Sequence, residues 1–494
     1  MKYISTRDKN KTVSGPEAVV EGLSAGDGGL FVPAAFPAIG LRDIAALASR
    51  GYAERAAGIV SAFLPELKDS LPAACSAAYS RFDGDPAPLV KIDGNLFMLE
   101  LFHGPTHAFK DIALTLLPRL LTASKRALGK TEKTLILVAT SGDTGKAALE
   151  GFAGVPDTDV MVFYPVEGVS YMQKLQMRTT RAKNCSVTGV RGNFDDAQNA
   201  VKAVFNDKSI ADDLQKLGYK LSSANSINFG RLVPQIVYYF SAYADMLDSN
   251  VIEPGDAVNF CVPSGNFGDI LAGYYAKRMG LPVGKLICAS NKNNVLTDFI
   301  TTGEYSLKRE FYKTSSPSMD ILISSNLERL LFELSGRDDK STAKRMADLK
   351  SAGGYRIGDD ELKALQADFC AYFADENEVF KAIEDMFDEY GYLPDPHTGV
   401  AMAAYNKYVA ATGDKTKTVV ISTANPYKFT PDVLRALGKK PLVDERKNIE
   451  RLEELSAMEV PPSLFELFDL PAVHKDIIDK ERVAGAVANY VKRK

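Results

Sequence analysis

Two apolar runs in the chain each lead into a glycine-containing turn and then into a helix-like segment. Residues 134–140 (TLILVAT) precede the turn at residues 141–145 (SGDTG), and residues 258–262 (VNFCV) precede the turn at residues 264–268 (SGNFG). Strands that alternate with helices in this way predict parallel β-sheets covered by helices on both faces. We therefore expect an α/β fold in which each turn follows a strand and opens a helix.

Further strand-like runs group around the same two regions, at residues 160–164, 185–190, 286–289 and 418–421. One cluster covers residues 134–220, and the other combines residues 256–290 with residues 417–440. Two such clusters predict two α/β lobes. The predicted division is an N-terminal domain of short helices and loops at residues 1–100, a lysine-bearing segment with a small α/β lobe at residues 101–255, a large α/β lobe at residues 256–440 and a C-terminal helical cap at residues 441–494.

The composition is that of a globular protein with a sizeable core. Of the 494 residues, 46% are apolar and 25% are charged, which is the usual mixture for such chains. The 59 basic and 63 acidic residues leave a formal charge of -4, so we expect neither nucleic acid nor an anionic membrane surface as a partner. The charged N-terminus lacks the apolar core of a secretory signal, and no run reaches the ~18 apolar residues of a membrane span.

The cysteines and histidines favour a reduced protein without a metal site. The five cysteines are odd in number and far apart, and Cys185, Cys261 and Cys288 lie in strand-like runs. We therefore predict buried thiols and a cytoplasmic location. His103 and His107 have helical spacing, but a Gly-Pro pair lies between them and no Glu follows the first, which argues against a zinc helix.

Lys110 is the strongest candidate for a catalytic residue. It follows an aromatic-apolar pair and a Gly-Pro turn within residues 101–114 (LFHGPTHAFKDIAL). An amine that acts as a nucleophile must be partly uncharged, and burial beside apolar groups lowers the pKa of a lysine toward that condition. The alternative is an ordinary exposed lysine at the start of a helix.

The two turns are candidate anion sites, because a turn that opens a helix directs backbone N–H groups and the positive end of the helix at one point. Glycine also allows an anion to approach closely. Neither turn ends in GK[ST] as a P-loop does, and neither contains the GxGxxG pattern of dinucleotide-binding proteins. Each could instead be only a tight connection between a strand and a helix.

Five segments, taken in order, resemble the threonine synthase family, which belongs to the fold-type II enzymes that depend on pyridoxal 5'-phosphate (PLP). The segments are residues 99–111 (LELFHGPTHAFKD), 139–145 (ATSGDTG), 223–228 (SANSIN), 262–269 (VPSGNFGD) and 423–429 (TANPYKF). The resemblance covers residues 1–440 and implies two parallel-sheet lobes of the tryptophan synthase β-like architecture with an extra N-terminal domain. This chain departs from the family at Asn425 and Tyr427, where His and Ala are more common.

The resemblance also implies roles for individual residues. Lys110 would form a Schiff base with PLP and transfer protons at the substrate carbons. The other PLP-binding residues would be Gly265, Asn266, Phe267 and Gly268 at the phosphate, and Thr423 at the pyridine nitrogen. The substrate-binding residues would be Ser141, Gly142, Asp143 and Thr144 at the carboxylate, and Asn225, Ser226 and Arg231 at the phosphate. Arg suits the last role because its planar fork binds phosphate bidentately.

Several of these assignments have alternatives or leave a question open. Arg231 could lie on a surface helix, Thr423 could be a helix N-cap, and Asn225 could be an ordinary turn residue. Asp143 stands where many relatives in the wider group carry Asn. The residues alone do not explain how its carboxylate is accommodated beside anionic ligands.

The activity that the resemblance implies is the conversion of O-phospho-L-homoserine and water into L-threonine and phosphate, by γ-elimination and β-hydration. The expected partner is this small substrate, and the expected assembly is a monomer or a homodimer. Another fold-type II PLP lyase, such as a serine/threonine dehydratase or a phospho-lyase, would keep Lys110 but need not keep Arg231. A catalytically silent scaffold is a third alternative, against which the intact Lys110, SGNFG turn and Thr423 argue.

Overall fold

The computed structural model describes residues 1–24, 26–140, 142–167 and 169–494, and it describes residues 195 and 206 by their backbone alone. Ser141, one of the predicted substrate-binding residues, lies outside the described residues. The N-terminal part consists of β1 (Lys2–Ser5), β2 (Thr12–Ser14), α1 (Gly15–Glu21), β3 (Phe31–Pro33), α2 (Leu41–Ala45), α3 (Tyr52–Phe63), a 3-10 helix (Pro65–Leu67) and α4 (Leu71–Tyr79). Its strands pair antiparallel in the order β2-β1-β3.

The next part of the chain contributes strands to both lobes. Its elements are β4 (Leu89–Lys91), β5 (Leu96–Glu100), α5 (Lys110–Leu114), α6 (Leu117–Ala127), β6 (Lys133–Ala139), α7 (Asp143–Phe152), β7 (Thr158–Pro165), α8 (Tyr171–Arg178), β8 (Cys185–Arg191), α9 (Phe194–Asn206), α10 (Lys208–Lys216) and β9 (Tyr219–Ser223).

The remainder begins with a long helix. Its elements are α11 (Phe229–Asp248), β10 (Val258–Pro263), α12 (Gly268–Arg278), β11 (Val283–Ser290), α13 (Val295–Thr302), β12 (Glu304–Ser306), a 3-10 helix (Pro317–Met319), α14 (Leu327–Leu334), α15 (Asp339–Ala352), β13 (Gly354–Arg356), α16 (Asp359–Asp368), β14 (Phe369–Phe373), α17 (Glu376–Tyr390), α18 (Pro396–Thr412), β15 (Thr418–Ser422), a 3-10 helix (Pro426–Phe429), α19 (Thr430–Ala436), α20 (Glu445–Ser456), α21 (Pro462–Phe465), a 3-10 helix (Glu466–Asp469), β16 (Ile477–Asp479), a 3-10 helix (Lys480–Arg482) and α22 (Val483–Lys492).

Two sheets form the two lobes, as the alternating pattern predicts. In the small sheet the strands lie in the order β16-β8-β7-β6-β9 and all pairs are parallel. In the large sheet the order is β14-β11-β10-β15-β5-β4, and only β4 pairs antiparallel among the described strands. Strands β7, β10 and β15 are buried along their whole length, because helices cover both faces of each sheet.

Sheet pairing crosses two of the predicted domain boundaries. β5 pairs with β15, so that Leu96 lies beside Thr418 and Glu100 beside Ser422. β16, within the predicted helical cap, pairs with β8 of the small sheet. A short apolar run does not show by itself whether it is a strand or a helix, and here the partner strand far along the chain decides. The large sheet therefore begins before residue 101, and the small sheet extends into residues 441–494; the division into domains itself stays a prediction.

The long helix α11 joins the N-terminal part to the lobes. Phe229, at its start, contacts the ring of Tyr3 at 4.8 Å and the ring of Phe63 at 5.7 Å between centroids. The helix is buried over most of its length, and none of the helices in the described ranges is both long and apolar enough to cross a membrane. The N-terminal part thus packs directly on the first turn of the helix that carries Arg231.

Candidate active site

A cavity of about 210 Å³ opens between the carboxyl ends of the strands of the two sheets. The loops that follow β5, β6, β9, β10 and β15 all contribute to its walls, which is where parallel α/β proteins bind their ligands. The predicted site residues that line it are Lys110, Asp143, Thr144, Asn225, Ser226, Arg231, Gly265, Asn266, Phe267, Gly268 and Thr423. The structure therefore brings residues from all five sequence segments together in one cavity.

Lys110 begins α5, and the segment before it is fixed to the loop that carries Thr423. The amide of Phe109 donates to the carbonyl of Thr423 at 2.8 Å. Ala108 forms an antiparallel bridge with Ala424. These backbone contacts place the two predicted cofactor-binding residues, Lys110 and Thr423, in the same part of the cavity.

The Lys110 side chain is buried, with 8% of the residue exposed, so it is not the exposed lysine of the alternative interpretation. Burial lowers the pKa of Lys110 to about 8; Asp143 opposes this shift, and the positive charges of Arg231 and Lys428 add to it. Its Nζ lies 4.4 Å from the centre of the Phe109 ring. The amine is therefore partly uncharged near neutral pH, as a nucleophilic lysine requires.

Asp143 is held by two lysines, of which the sequence interpretation assigned only one to the site. Lys428 Nζ lies 2.6 Å from Asp143 Oδ1, and Lys110 Nζ lies 3.7 Å from Asp143 Oδ2. Gln173 donates to the same carboxylate at 2.8 Å. Burial alone would raise the pKa of Asp143, but the two lysines and the hydrogen bonds hold it below its usual range. These contacts explain how the carboxylate is accommodated: it is ionised and paired.

The turn before α7 depends on Thr140 and Gln173, to which the sequence analysis assigned no role. Thr140 Oγ1 accepts hydrogen bonds from the amides of Gly142 and Gly145, both at 2.9 Å. Gly142 has a φ of 144°, and a Cβ on it would lie 2.4 Å from the Gln173 side chain. Only glycine fits there. Gly142 itself is not among the residues that line the cavity.

The second turn, residues 264–268, has the geometry of an anion site at the start of α12. Phe267 adopts a left-handed conformation with a φ of 63°. A Cβ on Gly265 would lie 2.8 Å from the backbone oxygen of Ser318. The Asn326 amide and side chain both donate to the Asn266 carbonyl, at 3.0 Å and 3.1 Å. The turn is thus held in shape by the neighbouring segment, and its amides are arranged at a helix N-terminus.

Arg231 lies in the first turn of α11 and is 6% exposed, so the alternative of a surface arginine is wrong. Its Nη1 donates to the Ala224 carbonyl at 2.8 Å, and its Nη2 lies 3.5 Å from Thr144 Oγ1. Within the described part of the chain no carboxylate forms an ion pair with it. Burial lowers the pKa of Arg231 to about 10. A buried guanidinium that lines a cavity without a carboxylate partner is suited to bind an anion.

Thr423 follows β15 and is 5% exposed. Its amide donates to Thr398 Oγ1 at 3.3 Å. The side-chain cap of the following 3-10 helix comes from Asn425, which accepts from the Tyr427 amide. Thr423 is therefore not the N-cap of that helix.

The comparisons with known proteins agree with this geometry. A family model described as "Pyridoxal-phosphate dependent enzyme" matches residues 83–424. Models described as "Threonine synthase N terminus" and "Threonine synthase, C-terminal" match residues 2–79 and 398–487. The chain is 38% identical to the threonine synthase of Pseudomonas aeruginosa over 445 residues, which cover 89% of this chain and 92% of that protein. The chain belongs to the threonine synthase family.

Two further relatives define the extent of the match. A solved structure of PLP-bound threonine synthase from Brucella melitensis superposes with a TM-score of 0.87 at 38% identity and covers 100% of this chain and 99% of that chain. This likeness confirms the predicted fold-type II architecture. The human protein named threonine synthase-like 1 is 42% identical over an alignment of 470 positions that covers 89% of this chain. The chain spans about 61% of the length of that human relative.

His397 is a site residue of this family member that sequence reasoning missed. It lines the cavity and is 3% exposed. Its Nδ1 lies 2.7 Å from Asp395 Oδ1, and its Nε2 accepts from the Ser318 amide at 3.2 Å. The nitrogen that accepts must be unprotonated, so the proton of the ring lies on Nδ1 toward Asp395. His397 therefore ties α18 to the segment that holds the second turn.

Asp269 was also missed, although it ends the segment VPSGNFGD. It lines the cavity, and the hydroxyls of Tyr238 and Tyr239 donate to its Oδ1 at 2.5 Å and 2.8 Å. Burial raises the pKa of Asp269 to about 6, against the effect of these hydrogen bonds. Its neighbours in the sequence signal a turn but do not signal a buried carboxyl.

The residues present fit PLP. The cavity provides a buried amine with a lowered pKa, a glycine turn of helix-terminal amides and a hydroxyl residue fixed beside the amine. A Cβ at Gly265 would collide with the backbone of Ser318 and Met319, so glycine lets the second turn lie close to that segment. In contrast, no group of three or more metal-ligating side chains occurs in the part of the chain that the structure describes.

Proposed function

We propose that the protein is a PLP-dependent threonine synthase that converts O-phospho-L-homoserine and water into L-threonine and phosphate. The observation that carries this proposal is Arg231, a buried guanidinium without a carboxylate partner among the described residues. It lines the same cavity as Lys110 and the turn at residues 264–268. One cavity thus offers two separate anion sites around one reactive amine, as a phosphorylated substrate and a phosphorylated cofactor require.

PLP would be held by three elements of the chain. Lys110 Nζ would bond to its aldehyde carbon, the amides of Gly265, Asn266, Phe267 and Gly268 would bind its phosphate, and the Thr423 hydroxyl would face its pyridine nitrogen. When bound, PLP supplies an electron sink for the charge left when a proton leaves the substrate. A hydroxyl at the pyridine nitrogen, in place of a carboxylate, leaves the ring largely neutral and makes that sink milder.

The substrate would be bound at both of its acidic groups. Asp143 and Thr144 open α7 and line the cavity, so their amides would face the substrate carboxylate at a helix N-terminus. Gly142, whose amide donates to Thr140 Oγ1, would contribute by shaping the turn. Asp143 would contribute its amide only, because its own carboxylate pairs with Lys428 and Lys110. Ser141 keeps the same role as a prediction from sequence. Arg231 would bind the substrate phosphate together with Asn225 and Ser226, which line the same wall.

Lys110 would carry the proton transfers. Its Nζ would take one proton from the substrate Cα and, after releasing it, one from Cβ. It would return one proton at Cγ after the phosphate has left and one at Cα after water has added at Cβ, and the second proton of that water would leave with the phosphate. Arg231, Asn225 and Ser226 would hold that phosphate as charge develops on it, and water would add at Cβ. Contacts to the remote phosphate would supply binding free energy for the reacting carbons.

The test is an assay with O-phospho-L-homoserine as the only amino-acid substrate, in which released phosphate and L-threonine are both measured. We expect equal amounts of the two products. Deamination of serine and threonine without phosphate release would instead establish the dehydratase alternative. Neither reaction from PLP-loaded protein would support the silent scaffold.

The cellular setting and assembly also remain proposals. All five cysteines are free of disulfide bonds, which supports the predicted cytoplasmic location because reduced thiols are the rule in that compartment. A monomer or a homodimer is the expected assembly, and sedimentation would decide between them.

A further inference from the structure

Lys428 is a completely buried lysine that no sequence motif assigned to a role. It lies in the 3-10 helix Pro426–Phe429 and has 0% of its surface exposed. Its Nζ contacts Asp143 Oδ1 at 2.6 Å and donates to the Thr106 carbonyl at 2.8 Å. A buried ammonium without such partners would be costly, because burial removes it from water. Lys428 is therefore bound to the Asp143 carboxylate.

Two ammonium groups share this one carboxylate, but they do so unequally. Lys428 lies at 2.6 Å from Asp143, and Lys110 lies at 3.7 Å. The positive charge of Lys428 offsets part of the attraction that Asp143 exerts on Lys110. Lys110 is thus left in a buried position beside a carboxylate whose charge is partly compensated by the closer lysine.

We propose that Lys428 is a positioning residue that pairs with Asp143 and so leaves the Lys110 amine uncharged often enough to react with the PLP aldehyde; this rests on the proposed role of Lys110 as the cofactor lysine. In that reaction Lys110 Nζ forms a bond to the aldehyde carbon, and its two amine hydrogens leave with the aldehyde oxygen as water. Only an uncharged amine has the electron pair for the new bond.

The other charged groups that face Lys110 stay in place when Lys428 is changed. Arg231 of α11 lowers the pKa of Lys110, and Asp395, before α18, raises it. Asp269 of α12 also faces Lys110, whose positive charge lowers the pKa of Asp269. None of the three contacts Lys428 in the described hydrogen bonds and ion pairs. A change at Lys428 therefore acts on Lys110 through Asp143 and through the lost positive charge.

The substitution Lys428→Met has two effects, and both raise the pKa of Lys110. The variant removes a positive charge that lowers the pKa of Lys110, and it leaves Asp143 with Lys110 as its only lysine partner. The pKa of Lys110 should therefore rise, and the uncharged fraction at neutral pH should fall. The double variant Lys428→Met/Asp143→Asn also removes the carboxylate, so the pKa of Lys110 should fall again.

The experiment uses the full-length apo-protein and measures Lys110 in two ways, from about pH 6 to about pH 10. The rate of PLP capture is followed by the absorbance of the bound cofactor. The reaction of Lys110 with an amine-specific acylating reagent is followed by peptide mass spectrometry, without cofactor. Lys125→Met is the matched control, because Lys125 is also buried but donates to the Glu132 carbonyl away from the cavity.

In Lys428→Met we expect the midpoint of both profiles to rise by about one pH unit, and capture at neutral pH to slow roughly 10-fold. The double variant should return to within about threefold of the native rate, and Lys125→Met should match the native protein. An unchanged or lowered midpoint in Lys428→Met would overturn the proposal, as would a double variant as slow as the single one.

If Lys428→Met does not fold, the double variant still decides the question, since removing both members of a buried pair is tolerated better than removing one. For the proposal to hold, the midpoint of the pH profile of the double variant must not lie above that of the native protein. Neither measurement uses O-phospho-L-homoserine. A protein that shows these shifts but makes no threonine would contradict the proposed function and leave the role of Lys428 standing.

Discussion

The turns at residues 141–145 and 264–268 follow the same pattern of strand, glycine turn and helix, but the chain stabilises them by different means. The first turn contains Asp143, whose charge is paired with two lysines from other segments. The second turn contains no ionisable side chain within residues 264–268. It is held instead by hydrogen bonds to its carbonyls: the Ser324 hydroxyl donates to the Gly265 carbonyl at 2.8 Å, and the Asn326 amide and side chain donate to the Asn266 carbonyl.

The difference shows how one local pattern serves two purposes. A turn without side-chain charge leaves its amides available for a phosphate, since no carboxylate repels the anion. An unpaired Asp143 in the first turn would repel an anion, but Lys428 and Lys110 pair with its carboxylate, which also positions those two lysines beside the reacting position. The pattern predicts where ligands bind, and the side chains decide what each turn does.

Lys110→Ala is the change with the largest expected effect. The first turn arranges charges around the Lys110 amine, and this substitution removes that amine. We expect no detectable turnover and no borohydride-stable attachment of PLP, with the fold retained, because Ala is compatible with the start of α5. Lys125→Ala, at a buried lysine outside the cavity, should keep both properties. Covalent PLP in Lys110→Ala would disprove the assignment.

Arg231→Leu tests whether a second anion is bound opposite the cofactor phosphate. Arg231 reaches Thr144 of the first turn but makes no contact with residues 264–268 among the hydrogen bonds of the described residues. Loss of a charge-assisted contact to a phosphate should cost about 2–4 kcal/mol, or roughly 30- to 1000-fold in kcat/KM. The cofactor absorbance should remain, and any deamination of serine should fall much less. An equal loss of both activities, or loss of PLP, would make Arg231 structural or a cofactor ligand.

The sequence alone predicts much of the fold and of the candidate site. Five of the six strand-like runs lie within strands of the structure, and the run at residues 134–140 extends one residue beyond β6. Both turns and Lys110 and Arg231 meet in one cavity, as the order of the five segments implies. These features are visible because apolar runs and glycine turns are local properties of the chain.

The missed features depend on partners that are distant in sequence. Lys428 lies inside the segment TANPYKF, but nothing near it shows that its side chain is buried against Asp143. His397 likewise acquires its place from Ser318 and from the fold of α18. β5 and β16 are short strands whose partners lie elsewhere in the chain. Pairing of this kind is set by the whole fold and cannot be inferred from one segment.

Gly265→Ala tests the second turn, residues 264–268. A Cβ on Gly265 would meet the Ser318 backbone oxygen at 2.8 Å, while the nearest atom to a Cβ on Gly268 is at 3.4 Å. Overpacking against backbone typically costs about 1–3 kcal/mol, so we expect PLP to dissociate roughly 5- to 150-fold more readily from Gly265→Ala. Gly268→Ala is the matched control and should change the dissociation constant by less than about threefold. Equal effects in both variants would show that the shape of the turn does not depend on Ser318.

Asn228→Ala has the smallest expected effect and tests whether the N-terminal part of the chain helps to hold Arg231 in position beside the first turn. The Asn228 side chain accepts from the Gly230 amide at 2.8 Å, which caps α11, and donates to the Val19 carbonyl at 3.0 Å. It therefore fixes the helix turn that carries Arg231 against the N-terminal part of the chain. Losing a cap and a buried hydrogen bond should cost about 1–2 kcal/mol of stability, measured by urea unfolding.

The same variant should raise KM for O-phospho-L-homoserine roughly two- to fivefold with little change in kcat or PLP affinity, since only the position of Arg231 is loosened. Asp375→Ala is the matched control, because Asp375 caps α17 by accepting from the Glu378 amide at 3.0 Å and α17 supplies no residue to the cavity. It should lose about 0.5–2 kcal/mol of stability and keep its KM. A KM that rises equally in both variants would attribute the effect to general destabilisation. An unchanged KM in Asn228→Ala would show that Arg231 keeps its position without support from the N-terminal part.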